Sequence, residues 1–107
     1  MSTDLPDDYE AFKAEVLSDQ DADDQGVYEV WWLANARYPH LPLSTRLATA
    51  EAVVRDLVRD GRVILVERTW ATREGSQTPI ADPEAALRNW ATWVLPPNEP
   101  VVWMVNP

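Results

Sequence analysis

Apolar residues recur through the middle of the chain with a period that changes once. Leu47, Ala50, Val54, Leu57 and Val58 are offset by three, four and seven, the spacing that lines up one face of an α-helix. At Gly61 that period stops, and Val63, Ile64, Leu65 and Val66 follow in a run that reads as a strand over 62–70. Ser44 to Thr69 is therefore predicted as a helix capped by Ser44 or Thr45, ended by a left-handed glycine and followed at once by a strand. Alternation puts Val63, Leu65, Glu67 and Thr69 on one side of that strand, with Ile64, Val66, Arg68 and Trp70 on the other. Both sides are apolar early, and only the far end reads as exposed.

The flanking segments follow the same rules. Pro6 to Leu17 reads as a first helix whose stripe, Tyr9, Phe12 and Val16, is thin and predicts weak docking. Ser18 to Gly26 is polar and reads as a flexible linker. Val27 to Tyr38 is a second helix with Val27, Val30, Trp31, Ala34 and Tyr38 inward, ended by the Pro39-His40-Leu41-Pro42 corner. Ala71 to Thr78 is a polar turn with Gly75 at its tip. Asp82 and Pro83 then open a fourth helix over 83–95, with Leu87, Trp90, Ala91 and Val94 on its inner face and Trp93 beside it. Val101 to Val105 is a second strand. It pairs most simply antiparallel with the first, although a parallel pairing through 83–95 as a crossover is long enough to form.

Composition narrows the chemistry. At 107 residues the chain is one domain without need of a staple, and it holds no cysteine, which excludes disulfides, thiolate metal sites and cysteine nucleophiles. No apolar run approaches a membrane span, and the acidic start MSTDLPDD is unlike a signal peptide, so a cytoplasmic, membrane-free protein is expected. The net charge of -9 is uneven: residues 1–26 carry nine carboxylates against Lys13, whereas 27–73 carry seven arginines against five carboxylates. An acidic molecule of this kind is repelled as a whole by nucleic acid.

Catalytic signatures are few. His40 is the only histidine and sits between two prolines. Asp21, Asp23, Gln25 and Gly26 match the start of a calcium-loop frame, but its twelfth position falls on Trp32 instead of a glutamate. With no phosphate-binding glycine loop and no serine elbow, the chain reads as a non-enzyme without metal or cofactor.

The order helix, helix, helix, strand, turn, strand, carried by Leu47 to Arg68 (LATAEAVVRDLVRDGRVILVER) with its "DG" stop, resembles the winged-helix family of helix-turn-helix domains over residues 27–70. The resemblance implies an α+β fold: three N-terminal helices, then a two-stranded antiparallel wing with an extra helix, 83–95, inserted between its strands. Residues 1–26 would be an acidic N-terminal arm and 27–107 the winged-helix-like domain. It also implies base contacts from Thr45, Arg46, Thr49 and Arg55, with Arg73 at the wing.

The residues themselves favour another use. Arg55, Arg59 and Arg62 stand among Glu51, Asp56 and Asp60 and read as a solvated face. Trp31, Trp90 and Trp103 suit a core, but the adjacent Trp31 and Trp32 cannot both point inward. Trp32, Trp70 and Trp93 are left for a surface beside Arg68 and Arg73, the composition of a protein-binding hot spot. The leading expectation is a small acidic protein-interaction module of immunity, inhibitor, regulatory or phage accessory type. Its partner would be a protein, a basic one by charge, or a second copy of the chain. The alternative is a DNA-binding transcriptional regulator whose acidic arm folds over a modestly basic helix.

Overall fold

The change of period at Gly61 is the pivot of the architecture. In the computed structural model, which describes residues 5–69, 78–94 and 100–107, helix α3 (Leu43–Arg59) ends at Asp60 and Gly61 takes φ +72°. The amides of Gly61 and Arg62 donate back to the carbonyls of Val58 and Leu57, at 3.1 and 2.9 Å, which closes the helix end. Strand β2 (Ile64–Thr69) follows directly. The other end of α3 starts earlier than expected. Pro42, at φ -56° and ψ 150°, delivers the corner straight into the helix, so neither Ser44 nor Thr45 is the cap.

Helix α2 (Val27–Arg37) buries Val27, Val30, Trp31 and Ala34, with Tyr38 just beyond, as the pattern requires. Against it packs α3 through Ala50, Val53, Val54 and Leu57. Helix α4 (Pro83–Arg88) opens as expected, with Asp82 Oδ1 accepting from the Ala85 amide at 3.1 Å and Pro83 behind the cap. It does not reach Leu95. Asn89 turns extended, at φ -87° and ψ 118°, and its side chain accepts from the Ala91 amide at 3.1 Å. That local bond competes with the helix and starts a short 3-10 turn over Trp90–Trp93 instead.

Two expectations about the N-terminal third are corrected. Helix α1 spans Tyr9–Ala22, through most of the supposed linker, and it is no loosely docked arm. Phe12 and Val16 are fully buried in the same core as α2 and α3, and Gln20 is buried with them. Gln25–Gly26 is not linker but a strand, β1, paired with the last strand, β3 (Pro100–Val105). Residues on both sides of position 26 thus contribute to one core cluster.

The sheet is three-stranded and antiparallel, in the order β1-β3-β2. Strands β2 and β3 pair antiparallel, with Leu65 opposite Met104 and Val66 opposite Trp103, so the crossover topology does not occur. Leu65, Val102 and Met104 face the helices and join the main core. Val66, Val101, Trp103 and Val105 face the other way and form a second buried cluster with Tyr28. The fold is α+β, with four helices and this sheet among the described residues, and no described helix is long and apolar enough to cross a membrane.

Candidate functional site

Helix α2 springs from the sheet edge without a loop, because Gly26 is both the end of β1 and the residue before the first helical turn. Gly26 has ordinary backbone angles, φ -71° and ψ 144°. Its lack of a side chain matters for space. A Cβ there would collide with Tyr28 Cε1 and lie 2.7 Å from its Cδ1. The Tyr28 ring therefore lies against the Gly26 backbone, is buried, and meets Trp103 of β3 edge to face with centroids 6.4 Å apart.

On this buried ring stands an exposed one. Trp32, one turn further along α2, packs edge to face on Tyr28 at 4.9 Å while 56% of its surface is open. Glu29 fixes the base of the same turn: its Oε2 accepts the Gly26 amide at 2.6 Å, a bond that satisfies a helix-start donor and sets a negative charge at the positive end of the dipole. A second pair lies next to it. Trp31, buried, meets Trp90 of the 3-10 turn at 5.8 Å, and Trp90 is 50% exposed. Each half-exposed indole is thus seated on a buried aromatic ring of α2.

Of the residues expected at a partner surface, Trp32 is exposed, as anticipated. Trp93 is not: it is 1% exposed, and its Nε1 donates to the Leu87 carbonyl at 2.8 Å. Trp90 takes the exposed position instead. The break at Asn89 resets the helical phase, so spacing counted from Leu87 no longer tells which ring turns inward. Arg68 lies on the sheet face of the second cluster, 11% exposed, with Nη1 on Asp24 Oδ2 at 3.1 Å, so it belongs to the interior and not to a surface patch. Trp70 and Arg73 lie outside the described residues.

Three of the side chains that the family resemblance would assign to DNA, those of Arg46, Thr49 and Arg55, are turned to their own chain. Arg46 donates to the Leu41 carbonyl (3.0 Å) and to Asn35 Oδ1 (2.7 Å). Thr49 is buried, with its hydroxyl on the Thr45 carbonyl at 2.7 Å. Arg55 bonds Glu84 of α4 at 2.7 Å and lies 3.7 Å from Glu51. Helix α4 thereby leans on α3 and adds a carboxylate to that face. Burial raises the carboxyl pKa of Glu51, whereas the bond from Arg55 lowers that of Glu84.

The other perturbed groups hold α1 in place. Asp8 accepts from the Tyr38 hydroxyl (2.7 Å) and from Arg37 (2.9 Å), and these two bonds lower its pKa. Burial and the bond to Asp8 push the Tyr38 phenol up to about 12. Tyr9 is raised further still by burial and by its 2.6 Å bond to Asp56. His40 is exposed and lines an open cleft of about 460 Å³ together with Leu5, Pro6, Tyr38 and Leu41. Among the described residues no group of three or more His, Asp or Glu could hold a metal ion.

Comparison with protein-family models, with curated proteins and with solved structures finds no match to this chain. What the geometry can do is present two anchored indoles, Trp32 from α2 and Trp90 from the 3-10 turn beside it, together with the fixed carboxylate of Glu29. Gly26, Tyr28 and Glu29 were not singled out from the sequence as site residues. The available signal was the spacing Gly26-x-x-Glu29, a glutamate three residues past a helix start.

Proposed function

We propose that this chain is a non-enzymatic, acidic protein-interaction module that binds a protein partner through Trp32 and Trp90 on and beside α2. The observation that carries the reading is the seating of these two rings. A tryptophan left half in water is ordinarily a mobile loss of apolar burial, yet here each is braced by a buried ring, Tyr28 or Trp31. Preorganised aromatic anchors of this kind dominate binding energy at protein interfaces. The order of elements from α2 to β3 supports a winged-helix-like architecture for the module, with α4 as an insertion in its wing.

The net charge of -9 supports a basic partner and opposes nucleic acid and a second copy of the same chain. A regulatory, inhibitory or immunity role fits a surface that acts by occupying another protein. The DNA-binding reading loses its support where Arg46, Thr49 and Arg55 are engaged internally and Glu84 lies on α3.

The test compares the wild type with a Trp32→Ala, Trp90→Ala double variant as bait in an extract of the native host. The wild type should retain a defined protein that the double variant does not, with both melting within a few degrees. Equal retention by the two baits would remove the reading, as would tight binding of duplex DNA at physiological salt.

A further inference from the structure

We infer that Trp32 and Glu29 together form a seat for an arginine side chain of the protein partner. The inference rests on the reading of the chain as an interaction module and adds what that partner must present. Glu29 and Trp32 are three residues apart on α2 and so are neighbours on its surface. The ring is held from below by Tyr28, and the carboxylate is held by the Gly26 amide, so neither has to be ordered when a ligand arrives. Gly26 itself cannot carry a side chain without displacing Tyr28, which ties the two halves of the seat to one backbone position.

Among the described residues no lysine or arginine pairs with Glu29, and Arg37, the one cation of α2, is turned away to Asp8 and Glu15 at 2.9 and 3.1 Å. An indole beside a fixed carboxylate is the environment that suits a guanidinium. Its planar face stacks on the ring, its N–H groups reach the carboxylate, and its weak hydration makes the transfer cheaper than for an ammonium. The overall charge of -9 would steer such a cation toward the molecule.

The probe is a short arginine-containing peptide, titrated into the full chain at physiological salt, beside a twin with citrulline in place of each arginine. Citrulline keeps the shape and removes the charge. The citrulline twin and the Trp32→Ala variant should each bind about fivefold weaker or less. Glu29→Gln, which keeps an acceptor for the Gly26 amide, should also weaken binding. Unchanged binding by Trp32→Ala would mean a general attraction to an acidic surface and would overturn the seat. Equal binding of the citrulline twin, or no binding of either peptide, would overturn it as well. Loss of the captured host protein from the Trp32→Ala bait, with no arginine preference in the peptides, sinks the seat alone and leaves the interaction reading standing.

Discussion

The side-chain amide of Gln20 donates to the backbone carbonyl of Met104 over 3.0 Å, joining the first helix to the last strand across 84 residues of chain. Gln20 is fully buried, and the same amide lies 3.4 Å from Asn106 Oδ1. A bond of this kind is made only when α1 is seated, and it ties that helix to β3. Tyr9 repeats the point at the other end of α1, through its hydroxyl on Asp56 of α3.

Removal of the first helix should therefore be severe. Phe12 and Val16 are completely buried, and truncation would strip the core of both while exposing the faces of α2 and α3 that they cover. Phe12→Ala alone should destabilise by about 3 to 5 kcal/mol. A protein lacking residues 1–24 should lose cooperative urea unfolding, and a truncated form with a wild-type midpoint would contradict the packing described here.

The two glycines at element ends should respond to alanine for different reasons. Gly61 has φ +72° and nothing within 4 Å of an added Cβ, so Gly61→Ala meets only backbone strain of roughly 1 kcal/mol, and Gly61→Asn less. Gly26 has normal angles, but its Cβ would strike Tyr28, and overpacking of that kind costs about 1 to 3 kcal/mol. Gly26→Ala should also shift Trp32 fluorescence, because Tyr28 is the support of that ring. An equal, purely thermal effect at both sites would argue against the stack.

Acid should loosen the contacts around Asp8 and Glu84. Both have folded pKa values below their ordinary ones, Asp8 through Tyr38 and Arg37 and Glu84 through Arg55, so their contribution is present above roughly pH 4 and is lost as pH falls through the lower folded values. Glu51 has the opposite sign: burial raises its pKa, which weakens folding at neutral pH and is relieved on mild acidification. Asp8→Asn should lower the urea midpoint at pH 7, and its deficit should shrink as pH falls below the ordinary carboxylate range. Parallel curves across the whole range would show that the Asp8 contacts add nothing.

Legibility from sequence followed the range of the interactions. The helix stop at Gly61, the cap at Asp82 and the inner stripe of α2 depend on residues within a turn or two, and each is found where the local pattern puts it. The antiparallel pairing of β2 and β3 was legible as the simpler of two topologies. The third strand was not, since Gln25–Gly26 is two residues long and becomes a strand only because β3 lies beside it. The length of α1 was hidden for a similar reason. Its second half is acidic and polar to the eye, yet Gln20 faces the core and finds its partner at Met104. At the candidate site the exposure of Trp32 followed from helix geometry, whereas its support by Gly26 and Tyr28 is a matter of three-dimensional packing.

The exchange of roles between Trp90 and Trp93 gives the last prediction. Both were assigned by counting along one continuous helix, but Asn89 leaves the helical region and the following 3-10 turn advances by about 120° per residue in place of 100°. Trp93 is carried inward, where its indole N–H finds the Leu87 carbonyl, and Trp90 outward onto Trp31. Trp93→Ala should consequently destabilise by about 3 to 5 kcal/mol through a cavity beside Leu87. Trp32→Ala and Trp90→Ala each remove a ring that is half in water, and each should stay near 1 kcal/mol or below. Acrylamide should quench the fluorescence of Trp32 and Trp90 preferentially, measured as the difference between the wild type and each single variant. Similar stability losses at all three positions, with no difference in quenching, would mean that all three rings are core and would leave α2 without a binding surface.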